Sequence, residues 1–354
     1  MRKIIVMLTV IAIVFACSND SESRSEATFD VAKLRSEFIS EIETPATTAF
    51  VNSVTDLNTA IVAFYNTTSQ TNLESLRTQW KQTAKAFAFI EIMDFGEIQS
   101  SLIMSSFYTW GANETAINDY IASTNPITET TINARSTNTR GLSAIEFLLF
   151  ENAITETLND FSNTRRKEYL KVLGENLVKK AQILNSAWAS YRSTFINNSS
   201  TGINGSVNML VNQINVLLEN VKRFKIGEPA GFQSTSTINT IALQAEKSEF
   251  SLNLIKENIA AVKSIYFGTA NSLDNYVSAV TNSNEINDKI LGVINAIEGD
   301  IATLENTSLS NAITFNISGV TKLYESINVL IVLVKVDVAS ALSVTITFTD
   351  NDGD

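Results

Sequence analysis

Apolar residues recur at intervals of three and four along most of this chain. Leu323, Ile327, Leu330, Ile331, Val334, Val338, Ala341 and Leu342 form one unbroken stripe. Leu210, Ile214, Leu217, Leu218 and Val221 form a second, and Leu254, Ala261, Val262 and Ile265 a third. This spacing sets side chains along one face of an α-helix. Residues 73–92, 117–121, 169–195 and 287–304 read the same way. Only Pro45, Pro126 and Pro229 could break such helices. Polar turn formers with two glycines at 197–205 predict a linker, and 123–138 a second polar loop. Residues 344–348, Val-Thr-Ile-Thr-Phe, alternate and are largely β-branched, which predicts a short extended C-terminal tail. The pattern predicts an all-α protein of two packed antiparallel helical bundles, over 30–196 and 206–354.

The first residues follow a different logic. Met1-Arg2-Lys3 precedes an uncharged run from 4 to 16, the make-up of a secretory signal and too short for a permanent membrane helix. The run ends Val14-Phe15-Ala16-Cys17, which resembles a bacterial lipobox, with Phe15 larger than that motif usually carries. Cys17 is the only cysteine and stands where a lipid would be attached. Residues 17–29 are polar and acidic, so they cannot offset their ordering entropy by burial and are expected to form a flexible tether. The expected mature protein is an envelope lipoprotein, held by its lipid anchor at the outer membrane, on the periplasmic face or the cell surface.

Charge narrows the partners. The net charge is −11, and loss of Arg2 and Lys3 with the signal makes it more negative. An acidic surface repels phosphate backbones, so no nucleic-acid partner is expected. The chain contains no histidine. That removes Ser-His-Asp triads and the usual histidine-based zinc sites.

One carboxylate stands out against this background. Residues 141–150 read Gly-Leu-Ser-Ala-Ile-Glu-Phe-Leu-Leu-Phe. On a helix Leu142, Ile145 and Leu149 share one face, while Phe147, Leu148 and Phe150 cover most of the rest. A helix apolar on all sides is buried, and a buried carboxylate is costly unless something holds it. Glu146 is therefore a ligand, hydrogen-bond acceptor or general base in a cleft, or else a structural carboxylate paired with Arg140 or another cation. Ser143, three residues earlier, either meets a ligand or Glu146, or bonds back to a helix carbonyl. Gly141 suits a tight turn or a close backbone approach.

Residues 140–150 resemble the signature region of the imelysin family, whose motif is G-x-H-x-x-E. Gly141 and Glu146 match, and Ser143 stands at the histidine position. Residues 212–231, which end Lys-Ile-Gly-Glu-Pro-Ala-Gly, resemble the family's K-I-G-x-P-x-G turn. Residues 249–268 and the C-terminal stretch from 333 resemble further family segments, and Trp80, Phe95-Gly96 and Trp110 fit more loosely. The resemblance runs over residues 30–354. It implies two helical-bundle domains with a site between them at the signature helix, an envelope location and iron-related regulation. The peptidase label travels with the family and has no counterpart in the residues.

The remaining candidates are weaker. Lys335 and Asp337 interrupt the long C-terminal stripe, and Lys335 either neutralises Glu146 or faces solvent with Asp337. Arg223 and Lys225 precede the Gly227–Gly231 turn, where a cation meets the helix dipole. Asp350, Asp352 and Asp354 begin a calcium-loop pattern without its closing glutamate. Trp80, Trp110 and Trp188 read as core or bundle-interface residues. The favoured reading is a non-catalytic binding protein of imelysin type. It would take a metal or small ligand at Glu146, Ser143, Arg140, Gly141, Lys335 and Asp337. With Glu146 as metal ligand, oxygen donors suit iron or another hard cation. The alternatives are a divergent imelysin-type peptidase and an adaptor for another envelope protein.

Overall fold

The computed structural model describes residues 29–233 and 237–347. Cys17 with the signal segment, Phe348, and Asp350, Asp352 and Asp354 lie outside the described residues. Phe29, assigned to the tether by its polar neighbours, instead stacks on Tyr276 with ring centroids 4.9 Å apart.

The fold is all-α, as the periodicity requires. Helix Val31–Glu37 starts where the Asp30 side chain accepts from the Lys33 N–H, and it runs through a π-helical stretch, Phe38–Glu43, into Thr44–Asn66. After a three-residue connection, Ser69 caps Gln70–Ile90, which returns alongside. The long helix Thr164–Asn197, capped by Asn163, packs on the other side of Thr44–Asn66. Together they enclose Phe50, Leu57, Ile61, Trp80 and Trp188.

The second group holds Ser206–Asn220, Ser251–Phe267, Glu285–Leu304 and Ile317–Val332. The three apolar stripes face inward here, with Leu323, Ile327, Leu330, Val334 and Val338 all buried. Ile317–Ala341 is the one helix among the described residues long and apolar enough to cross a membrane. One stripe of it is buried in this second group, while Val329, Val332 and Val336 stay exposed. The groups are not separated by solvent. Ser251–Phe267 packs on Gln70–Ile90, Ser206–Asn220 packs on Glu91–Met93, and one continuous apolar core runs through both.

Two segments depart from expectation. The polar stretch 123–138 contains a short helix, Glu129–Asn133, because Thr128 and Thr131 form a reciprocal capping box. Residues 344–347 form no strand. Val344–Thr347 dock instead on Asn212, whose side chain donates to the Thr345 carbonyl and accepts from the Thr347 N–H. An amide side chain can satisfy a lone segment's backbone where no neighbouring strand exists.

Candidate functional site

The signature helix Gly141–Phe150 sits between Gln70–Ile90 and Thr164–Asn197, buried from Gly141 to Leu149. Gly141 has φ +71°, and a Cβ there would lie 2.5 Å from the Phe107 carbonyl oxygen. The next N–H, of Leu142, donates to that same oxygen at 2.7 Å. The glycine therefore serves both expected purposes, left-handed turn and close approach. At the other end, orphan carbonyls meet cations. Arg77 donates to Leu149 O and Arg166 to Leu148 O, which satisfies groups the helix itself cannot.

Glu146, only 6% exposed, is held without a cation. Its Oε1 accepts from the backbone N–H of Ser248 at 3.0 Å and from the Ser248 hydroxyl at 2.8 Å. Its Oε2 accepts from the Tyr108 hydroxyl at 3.2 Å. Burial pushes the carboxyl up to about 7, and the three donors only partly oppose it. At neutral pH the group is thus poised between acid and base. Tyr108, wholly buried beside a carboxylate, is pushed well above the ordinary tyrosine value, so its hydroxyl stays a donor. Ser248 arrives on a turn whose Ala245 and Glu249 both have positive φ, an arrangement costly for residues with side chains.

A cavity of about 410 Å³ opens against Glu146. Ser143, Phe147 and Trp110 form part of its wall, and Leu243, Ala245 and Ile241 form another. Glu114, Glu246 and Lys247 stand at its polar side, with the Lys247 ammonium 2.9 Å from Glu114 and 5.8 Å from the centre of the Phe147 ring. Three acids against one cation make this cavity favour neutral or positively charged occupants.

The other expected site residues are placed as follows. The Ser143 hydroxyl points back to the Arg140 carbonyl at 3.4 Å rather than to Glu146. Arg140 does not pair with Glu146; its guanidinium donates to Asn133 Oδ1 at 3.1 Å, because the turn at Gly141 sends it to the opposite side. Lys335 and Asp337 do not line the cavity and are not partners of Glu146. They lie on the π-helical stretch Leu333–Val338, packed against other helices of the second group. Tyr108 and Ser248 went unrecognised in the sequence. Tyr108 lay in an aromatic cluster with Trp110, and Ser248 carried no local signal. Trp110, expected in the core or at a bundle interface, is partly buried against the core and lines the cavity wall.

Lys225 also differs from expectation. It is no helix cap at the surface but is 2% exposed, with its ammonium 2.6 Å from Glu91 Oε2 and 2.8 Å from Asn258 Oδ1. Burial draws its pKa below the ordinary lysine value, with Glu91 opposing. The signal was present: Lys225 lies four residues after Val221, on the buried stripe.

A bare metal ion does not fit at Glu146. Both carboxylate oxygens already accept hydrogen bonds, and no three acidic, cysteine or histidine side chains cluster to hold a metal among the described residues. A hard cation needs several oxygen donors in its first shell.

Comparison with known proteins bears on this geometry. The sequence profile described as imelysin matches residues 43–334. Iron-regulated protein A of Synechococcus elongatus is 26% identical over 223 residues, 58% of this chain and 58% of that protein. The chain thus matches a little over half the length of that curated relative. A crystal structure of an imelysin-like protein from Psychrobacter arcticum superposes with a TM-score of 0.75 at 17% identity, covering 91% of this chain and 99% of that one. A crystal structure described as an iron-regulated protein A precursor from Parabacteroides distasonis gives the same TM-score and identity, covering 88% and 94%. At such identity these two structures speak for the fold alone.

Proposed function

The chain belongs to the imelysin family, and from that premise we propose that it is a binding protein of the cell envelope, taking a small neutral or positively charged organic ligand in the cavity at Glu146. One observation carries the reading. A carboxylate is kept in an apolar helix by three neutral donors drawn from distant parts of the chain, beside an open cavity. Burial of this acid still costs stability that its three donors only partly offset, a cost in keeping with a functional role. The signal-like N-terminus and Cys17 support a lipid-anchored location. The name of the cyanobacterial relative supports a link to iron. Iron would then arrive as an organic complex that brings its own donors, since the residues at Glu146 do not supply a first shell.

Calorimetry tests this on the full mature chain with three probes: the neutral ferric complex of acetohydroxamate, metal-free acetohydroxamate, and calcium. Glu146→Gln keeps the shape of the site and removes its charge. The expected result is binding of an organic probe that weakens at least tenfold in the variant. Equal affinity in the two proteins removes Glu146 from the site, and binding of calcium alone replaces the organic ligand with a hard cation.

A second reading has one observation in its favour. A carboxyl titrating at about 7 suits general acid–base work on a bound ligand. Incubation of the pure protein with insulin chains, beside Glu146→Gln, separates the two: cleavage lost in the variant makes the site catalytic.

A further inference from the structure

A second cavity is lined by Tyr108, whose hydroxyl donates to Glu146. It measures about 240 Å³ and meets the first at Trp110, which lines both. Glu91 and Lys225 stand in its wall, already joined to each other and to Asn258. Their charges cancel.

Ser105 and Tyr108 in the same wall are hydrogen-bonded, but several other polar residues there have no partner among the described residues. Asp94 makes no hydrogen bond among the described residues, and its Oδ1 is shut off from solvent with no partner. Burial pushes its carboxyl up to about 6, so at neutral pH it still carries most of its charge. Gln213 is 7% exposed, lines the cavity, and likewise makes no side-chain hydrogen bond among the described residues. Asn220, about two turns further along the same helix, lines it too and makes no side-chain hydrogen bond among the described residues. Native proteins rarely leave buried polar groups unpaired, as Asp94 Oδ1 is, and the Gln213 and Asn220 amides stay open to water that a ligand's polar groups can replace. Phe87 and Trp110 supply an apolar and aromatic side.

We propose that this cavity is a binding site for a small organic ammonium compound, with Asp94 taking the charged amino group and the Gln213 and Asn220 amides taking a hydroxyl or carbonyl on the same molecule. The charge balance selects this class. Glu91 and Lys225 neutralise each other, so Asp94 leaves a deficit of one positive charge, which a single ammonium group meets. A divalent metal would overshoot it. Trp110 already holds the Lys225 ammonium 5.6 Å from its ring centre, so the aromatic wall accepts an ammonium charge. The site uses neither Glu146 nor its cavity, so it stands whether or not the first reading does.

Ethanolamine is the smallest probe with both groups. Calorimetry and saturation-transfer NMR on the full chain at neutral pH should detect its binding, weakened at least tenfold in Asp94→Asn and at least threefold in Gln213→Met. Asp94→Asn removes a carboxyl that burial disfavours, so it should fold at least as well as the parent. Gln213→Met keeps the volume and tests the amide separately. Absence of ethanolamine binding by the parent chain overturns the proposal. So does equal binding by all three proteins, or a calcium affinity lost in Asp94→Asn with no ethanolamine affinity beside it.

Discussion

Glu146 makes the folded chain hold a proton more tightly than the unfolded one, because its carboxyl sits at about 7 in the fold against an ordinary 4.5. The sign follows. Wherever the native state binds more protons, stability falls as pH rises, so this group's contribution is intact below about 4.5 and is lost as pH climbs through 7. The loss should reach about 3 kcal/mol. Asp94, raised from 3.8 to about 6, acts in the same direction over a lower window. Glu146→Gln should therefore flatten the upper part of the pH profile and raise the melting temperature at pH 8 relative to the parent. Melting curves at pH 5 and pH 8 check this, and an unchanged pH profile in the variant would contradict it. Gly141 gives a second outcome at this scale. Any side chain there meets both the φ of +71° and the Phe107 carbonyl, so Gly141→Ala should lose about 2–3 kcal/mol in denaturant titration. The glycine and the glutamate were legible in the sequence, since each breaks a local rule of an otherwise apolar helix. Their partners were not. Tyr108 and Ser248 stand 38 and 102 residues from Glu146, and nothing local marks a serine as a buried donor.

Among elements, three long helices each contain a π-helical stretch: Phe38–Glu43, Val221–Gly227 and Leu333–Val338. A π-turn inserts a residue and re-aims those that follow, and it weakens the local hydrogen bonding, so it persists where packing demands it. Val221–Gly227 delivers Lys225 to Glu91, which lies at the end of a helix in the first group. That bridge predicts a non-additive pair. Lys225→Met alone strands a largely buried Glu91 charge and should cost about 3–5 kcal/mol. Combined with Glu91→Leu, the cost should be well below the sum of the two single changes, because no charge is left without its partner. A double-mutant cycle by urea unfolding reads this, and additive values would dissociate the pair. Helical periodicity foretold where these helices run. It did not reveal the π-stretches, because Leu330, Ile331, Val334 and Val338 already fit steps of three and four and carry no mark of a wider turn.

At the scale of the molecule, the two helix groups share one core across Gln70–Ile90 and Ser251–Phe267. Trp80, Trp110 and Trp188 all belong to the first group, whereas helicity reports on both. Thermal unfolding followed by tryptophan fluorescence and by far-ultraviolet circular dichroism should therefore coincide in a single transition. Two separated midpoints would mean that the groups fold as independent domains. By itself the sequence determined the all-α class, the course of the main helices, the buried glutamate and the family, because each of these rests on local spacing or on a short run of residues. Only the tertiary structure decided what holds the glutamate. It replaced Arg140 and Lys335 with Tyr108 and Ser248, buried Lys225 against Glu91 where a helix cap was expected, and opened one cavity against Glu146 and another against Tyr108. The physical reason is that a buried charge is settled by whichever groups the packing brings within about 3 Å. That distance depends on how helices far apart in the chain cross one another.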